Sequence, residues 1–218
     1  MTYLDFRHNV HSANGEDGII KKLFSDLDIT NGIVCEFGAH DGFHDSNTAA
    51  LWEQNYQAIL IESDHNRFDQ LEKNTSEHDV ECIHTVVEKE RKEDIQNTID
   101  DILEKSKFNI TPDNFCLMSI DIDSYDYYVF KSIEKYFPKV LIFEVSSGHP
   151  INDDFISEDK GCSIKSAYEL GIEKGYKMIC HCGNVIFVRN DLTYKLPDYD
   201  YSIENLHLGT NCGYENPE

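Results

Sequence analysis

Basic residues are scarce in this chain: 19 Lys and Arg stand against 41 Asp and Glu, for a formal net charge of −22. So acidic a surface repels a phosphate backbone over most of its extent, which excludes a general nucleic-acid binder. Long apolar runs are missing too. No stretch reaches the length of a membrane span, and Met1-Thr-Tyr-Leu-Asp-Phe-Arg-His8 holds no apolar signal core, so the expectation is a cytoplasmic protein with no membrane span. No Cys-x-x-Cys pair occurs, and the seven cysteines are odd in number and scattered, as free thiols in a reducing compartment are. On a strand, Cys180-His181-Cys182 sets both thiols on one face and the imidazole on the other, which argues against zinc. Neither repeats nor low-complexity linkers interrupt the chain. Its 218 residues, 40% of them apolar, suffice for one core and are short for two, so a single domain over residues 1–218 is expected.

The dinucleotide fingerprint Gly-x-Gly-x-x-Gly is likewise absent, and with it the tight pyrophosphate cradle that nicotinamide and flavin cofactors need. In its place stands Glu36-Phe-Gly-Ala-His-Asp-Gly42, directly after the apolar run Gly32-Ile-Val-Cys35. Glycine at 38 and 42 lets backbone N–H groups approach a ligand closely where the strand ends. A second apolar run, Ala58-Ile-Leu-Ile61, ends in Glu62-Ser-Asp64, about one βαβ unit further on, where a carboxylate meets ribose hydroxyls. An adenosine ligand without phosphates satisfies both features, and S-adenosylmethionine (SAM) is such a ligand. Glu36, Gly38, Gly42 and Glu62 are its candidate contacts.

Strand and helix patterns alternate along the chain, the mark of a parallel α/β sheet. Residues Glu16 to Leu27 read as a helix, with Ile19, Ile20, Leu23, Phe24 and Leu27 on one face. Strands are expected at Ile33–Phe37, Ala58–Glu62, Glu81–Val86, Phe115–Ile122, Val140–Val145, Met178–Cys182 and Val185–Arg189. Helices fill the gaps near Asn47–Glu53, Asn66–Asn74, Lys92–Lys105, Tyr127–Tyr136 and Ser163–Lys174. Only Gly183-Asn184 separates the last two strands, so they close as a hairpin and give the sheet an antiparallel edge. The expected class is therefore α/β, a seven-stranded, mostly parallel sheet with an antiparallel edge hairpin and helices on both faces, the layout of the Rossmann-like methyltransferases; the resemblance given below implies the class I methyltransferase fold. Residues 1–30 form a helical opening segment. The acidic, unpatterned tail 196–218 is either a lid over the site or disordered.

A third chemical cluster is Ser119-Ile-Asp-Ile-Asp-Ser-Tyr-Asp126, closing a strand whose carboxyl end faces the ligand crevice of such sheets. Asp121 and Asp123, two apart on an extended chain, point the same way, and Glu144 ends the next strand beside them. Crowded carboxylates raise one another's pKa unless a cation or donors compensate. Asp121, Asp123 and Glu144 are accordingly either ligands of a hard divalent ion such as Mg²⁺ or caps for the loop and for the helix starting near Asp126. A hydroxyl acceptor needs a base or a cation, and Asp121 and Asp123 are the first candidates, His149 in the loop after Glu144 the second. His40 lies inside the glycine turn and reads as shaping it or as facing the methionine end of the cofactor.

Beyond these readings, the chain resembles the FkbM-like SAM-dependent methyltransferases. The similarity rests on Ser12-Ala-Asn-Gly-Glu-Asp-Gly-Ile-Ile20, Cys35-Glu-Phe-Gly-Ala-His-Asp-Gly42 with Ser46-Asn-Thr48, Leu60-Ile-Glu-Ser-Asp64 and Leu117-Met-Ser-Ile-Asp-Ile-Asp-Ser-Tyr-Asp-Tyr127. Gly161-Cys-Ser-Ile164, Lys174-Gly-Tyr176 and Asn184-Val-Ile-Phe-Val188 follow in the same order, so the likeness spans nearly the whole chain. It implies SAM as cofactor and O-methylation of a sugar or other small hydroxylated metabolite. By position it adds Glu16, Asp17, Ala39, Asp41, Ser46, Asn47, Ser63, Asp64 and Asp121 to the cofactor contacts. Two departures stand out. The family's Asp-Gly-x-Asp is here Asp123-Ser124-Tyr125-Asp126, without its glycine, and Ala13-Asn14 replaces the usual opening Ser-Gln.

The expected acceptor is a small-molecule carbohydrate, free, nucleotide-linked or polymerised, in capsule or surface-glycan biosynthesis; an amine acceptor and a non-catalytic SAM-binding scaffold are the competing readings. A nucleotide-linked sugar needs a metal or a local basic patch in so acidic a protein, and Lys160, Lys165 and Lys174 are the candidates for that patch. The tyrosines in 194–201 leave room for a homodimer.

Overall fold

The computed structural model describes residues 1–91, 96–208 and 212–217. Seven strands, β1 (Ile33–Phe37), β2 (Gln57–Glu62), β3 (Val80–His84), β4 (Phe115–Ile120), β5 (Val140–Glu144), β6 (Tyr176–His181) and β7 (Asn184–Arg189), form one sheet in the order β3-β2-β1-β4-β5-β7-β6. Strands β1 to β5 pair in parallel, and β7 runs antiparallel to both β5 and β6. The two residues between β6 and β7 permit only a hairpin, with Gly183 taking φ 121 at the turn. Because β7 is inserted between β5 and β6, it alone is reversed, and the edge strand β6 runs in the parallel sense. The expected architecture is borne out with that refinement.

The strands alternate their side chains between two apolar layers. Ile33, Cys35 and Phe37 of β1 join one core with α4 (Ile99–Glu104), α5 (Asp126–Ser132) and α6 (Ile164–Glu173). Val34 joins the other with α1 (Glu16–Asp26), α2 (Ala49–Trp52) and α3 (His65–Thr75). Covered on both faces, β1, β4 and most of β5 to β7 carry near-continuous apolar runs and are almost wholly buried. The seven cysteines are free thiols, six of them buried. Cys180 and Cys182 both lie in the α1-side core, as strand alternation required. No helix among the described residues is long and apolar enough to cross a membrane.

Three of the boundaries that differ from the sequence expectation have identifiable hydrogen-bond partners. The helix expected over Lys92–Lys105 starts at Ile99, where the Thr98 hydroxyl accepts from the Asp101 N–H as an N-cap; residues 92–95 lie outside the described ones. The helix expected over Tyr127–Tyr136 ends at Ser132, and the Lys174 ammonium donates to the Lys131 and Ile133 carbonyls at 2.6 and 2.7 Å, satisfying groups that a helix end leaves free. Strand β4 stops at Ile120 because the Asp126 carboxylate captures the backbone N–H groups of Ile122 (2.8 Å) and Ser124 (3.0 Å).

The C-terminal stretch 212–217 is a clasp on the N-terminal segment. Asn216 accepts from the Asn9 N–H and donates to the Asn9 carbonyl, each at 2.8 Å, while the Asn9 side chain donates to the Tyr214 carbonyl at 3.0 Å. The Arg7 guanidinium sits 4.6 Å above the Tyr214 ring. Asn9 also accepts from the Gly15 N–H, so one side chain joins the tail to the turn that starts α1. Upstream, Tyr199 packs edge-on against Tyr3 and Tyr201 lies under Lys177, which leaves Tyr194, 78% exposed, as the outward-facing ring of that run. Asn9→Ala should lower the thermal midpoint by about 3–8 °C, the effect of one or two lost hydrogen bonds, and Asn216→Ala by less; calorimetry of the two variants checks the order.

Candidate functional site

The carboxyl ends of β1, β2, β4 and β5 meet over two adjoining cavities that share Gly38, Arg67, Asp121 and Asp123. The first, about 370 Å³, is walled by Ala13, Asn14 and Glu16 from the N-terminal segment, Glu36, His40, His44, Asp45 and Asn47 from β1 and its loop, and Glu144 and Asn184 from β5 and β7. The second, about 250 Å³, is a slot between the ends of β2 and β4, with Ile61, Val86, Val87, Ile122 and Tyr125 as apolar lining and Glu62 and Ser63 at its rim. Gly38 is the hinge between them. Its φ is 71, and a Cβ there would strike the Asp121 carbonyl oxygen, so only glycine lets β1 and β4 approach this closely.

Glu36 and Glu62 tip adjacent strands as expected but are used differently. Glu36 is buried, and its carboxylate accepts from the Ser46 hydroxyl (2.6 Å), the Thr48 hydroxyl (2.6 Å) and the Asn47 N–H (2.7 Å). It fixes the turn that carries Asn47 to the cavity wall, and Ser46 serves that turn with it. Burial pushes the Glu36 carboxyl upward, opposed by those same bonds. Glu62 accepts one N–H on each oxygen, from His40 at 2.8 Å and Asp64 at 2.7 Å, which leaves it lone pairs at the slot. Asn47 gives its amide to Ser119 at 3.0 Å, and its Oδ1 is buried without a partner.

Other expected contacts lie off the cavities. Asp17 spends one oxygen on the Val10, His11 and Ser12 N–H groups and the Ser12 hydroxyl, all at 2.8 Å, and so shapes the segment before α1. Its neighbour Glu16 does line the wall, held by Asn14 and Asn184, with burial raising its pKa. Asp41 closes its own turn onto the Phe43 and His44 N–H groups, Gly42 packs toward Leu71, and Asp64 caps α3. His149 pairs with Asp153 at 2.8 Å and stacks on Phe155, 4.0 Å between ring centroids, outside both cavities; it is displaced as a catalytic candidate. Lys160, Lys165 and Lys174 form no patch at the site either. Lys165 pairs with Asp154 at 2.6 Å, and Lys174 sits at the opposite end of the sheet.

Asp121, Asp123 and Glu144 do converge: each offers an oxygen, and the three lie within 4.8 Å of one another. The reason is not the extended chain that the sequence suggested. The backbone turns after Ile120, Asp123 takes φ 59, and its N–H donates to Glu144 at 3.1 Å while Asp126 pins the loop from inside. Asp123 thus adopts the left-handed conformation itself, one residue before Ser124, which stands where the Asp-Gly-x-Asp pattern has glycine. Burial, then the neighbouring Glu144, Asp126, Asp123 and Glu36 charges, push Asp121 up to about 8, and burial with Asp126 and Asp123 pushes Glu144 up to about 7. The pair holds a proton near neutrality that any bound cation would release.

Two wall residues, Arg67 and His44, were not legible from motifs, whereas His40 belongs to the glycine turn. Arg67 faces both cavities from the first turn of α3, a position set only by the Asp64 cap. His40 and His44 stack at 4.8 Å on the wall of the first cavity. His40, Asp45 and Asp123 are three of the five non-glycine residues with positive φ among the described ones, so backbone strain gathers at this cavity.

No family model and no curated protein matches the sequence. Among solved structures, the chain is similar to a SAM-dependent methyltransferase from Clostridium acetobutylicum (10% identity, 77% of this chain and 87% of that one, TM-score 0.49). It is also similar to a candidate O-methyltransferase from Klebsiella pneumoniae (15% identity, 84% and 82%, TM-score 0.49) and to the N-terminal domain of EvdMO1 with SAH bound (12% identity, 79% and 78%, TM-score 0.48). The fold assignment stands on the strand order and pairing above.

Between the ordinary Asp value of 3.8 and about 8, folded Asp121 keeps a proton that the unfolded chain has lost, so this residue makes stability fall as pH rises through that window. Asp121→Asn should therefore raise the thermal midpoint more at pH 8 than at pH 5, by about 2–4 °C or more, read by thermal melts at both pH values.

Proposed function

We propose that the protein is a SAM-dependent methyltransferase acting on a hydroxyl of a sugar or a similarly hydroxylated small molecule, of the FkbM-like type that its collinear motifs resemble, in the setting of surface-glycan or capsule biosynthesis. The observation that carries this reading is the joining, at Gly38, of a slot with one apolar wall, rimmed by Glu62, to a polar cavity that ends in crowded carboxylates. The residues fit the cofactor. Glu62 has free acceptor positions for ribose hydroxyls, the Val86, Val87, Ile122 and Tyr125 walls suit a flat base, and the orphaned Asn47 Oδ1 awaits a donor at the amino-acid end.

When bound, SAM supplies an electrophilic methyl group on a positively charged sulfonium. The chain's own task is to hold the acceptor oxygen in line and to accept its proton. Asp121 suits the second role, since a carboxyl raised to about 8 is a far stronger base than an ordinary aspartate, and Glu144 beside it can share the proton. Asp121, Asp123 and Glu144 also have the oxygen donors of a Mg²⁺ site, and an ion there would acidify the hydroxyl directly.

Calorimetric titration with SAM, with Mg²⁺ and again with EDTA, is the first test. Micromolar binding under both conditions supports the cofactor site and leaves Asp121, Asp123 and Glu144 as bases or hydrogen-bond partners, with any metal role confined to the acceptor-bound state, and no binding in either removes the reading. Glu62→Gln should weaken SAM by about tenfold or more, the loss of a charge-assisted pair. Asp121→Asn should slow formation of S-adenosylhomocysteine (SAH) by about 10²–10⁴-fold, the range for a lost general base.

A further inference from the structure

The wall that the N-terminal segment gives the first cavity is held from two sides. Toward the sheet, Glu16 accepts from the Asn14 N–H at 2.8 Å and from the Asn184 side chain at 3.2 Å. Asn14 also packs so closely on the β6–β7 turn that a Cβ at Gly183 would strike its carboxamide. On the other side the work falls to Asn9, which does not itself line the cavity. Its side chain donates to the Ala13 carbonyl at 3.1 Å and accepts from the Gly15 N–H, and so spans the loop that carries Ala13, Asn14 and Glu16 to the wall. Asn9 is fixed in turn by the end of the chain. The Asn216 carboxamide takes both backbone groups of Asn9, each at 2.8 Å, as a neighbouring strand would, and the Tyr214 carbonyl accepts the second side-chain N–H of Asn9 at 3.0 Å. The Tyr214 hydroxyl donates to the Arg7 carbonyl at 2.6 Å and closes the clasp from below. None of the described tail residues lines either cavity, so the tail reaches the site only through Asn9.

We infer that Asn9 and Asn216 are positioning residues for the cofactor: the tail, acting through Asn9, sets the wall beside the amino-acid end of SAM, and the slot for the base is independent of it. The inference rests on the methyltransferase reading of the same cavities and brings into it a part of the chain that touches no ligand. The asymmetry follows from the linings. The first cavity includes Ala13, Asn14 and Glu16, and on that reading it holds the amino-acid end beside Asn47. The slot is built from residues 38 to 125 and takes nothing from the N-terminal segment. Loosening the clasp therefore reaches the two ends of the cofactor unequally, which a general loss of stability does not do.

The test compares SAH with methylthioadenosine, which has the same base, ribose and thioether and lacks the amino-acid end. Both are titrated calorimetrically into the full chain and into its Asn216→Ala variant, well below the thermal midpoint of each, where unfolding takes no share of either affinity. The expected result is SAH weakened about three- to tenfold in the variant, with methylthioadenosine changed by less than about twofold. Tyr214→Phe, which removes one hydroxyl, serves if Asn216→Ala does not fold, and should weaken SAH alone by about two- to threefold. Equal weakening of the two ligands makes the tail a brace of the whole fold and overturns the inference, and so does an unchanged SAH affinity. Silence of methylthioadenosine on the unaltered chain that binds SAH overturns it as well, since the slot then does not hold the base by itself. Failure of SAH to bind the unaltered chain instead brings down the methyltransferase reading beneath it.

Discussion

A carboxylate buried at the end of the central strand is the constraint from which the rest of the site follows. Glu36 is placed inside the protein by the parallel register of β1 between β2 and β4, and a charge there must find donors or neutralise. It finds them in Ser46, Asn47 and Thr48, which obliges residues 38–45 to leave the strand and fold back within a short arc. That arc is why Gly38, His40, Gly42 and Asp45 all take positive φ, and why His40 delivers its N–H to Glu62 on the neighbouring strand. The two cavities are the space left between this arc and the β4–α5 loop, which Asp126 holds from its own side.

The acids of this protein divide into two kinds. Glu36, Asp17, Asp100 and Asp126 are engaged by several backbone or hydroxyl donors and act as internal caps that organise loops. Asp121, Asp123 and Glu144 are crowded together with one backbone donor, the Asp123 N–H on Glu144, and hold a proton between them near neutrality. Burial first, and then the neighbouring carboxylates, raise Asp121 and Glu144.

Much of the architecture was legible along the chain because burial on both faces writes strands as apolar runs and the α1 face as a period of 3.6. Strand β1 falls on its expected residues, and the others differ by one or two at their ends. Element ends were less legible where a distant side chain sets them, as Lys174 does for α5 and Asp126 for β4. In the site, the motif positions Gly38, Glu62 and Asp121 come to the cavities, whereas Asp17, Asp41 and Asp64 turn out to cap local backbone. An acidic residue in a turn has the same sequence signature whether it faces a ligand or its own N–H groups.

The sequence by itself determined the alternation of strand and helix, the closing hairpin, the glycine hinge and the acid-tipped strands, because periodicity, turn chemistry and the absence of a Cβ act over a few residues. Tertiary structure alone decided that β7 enters the sheet between β5 and β6, that Arg67 reaches both cavities, that His149 leaves the site for Asp153, and that the tail clasps Asn9. Each of those outcomes depends on a partner far along the chain or on a competing donor nearby, and neither is written in the local pattern of residues.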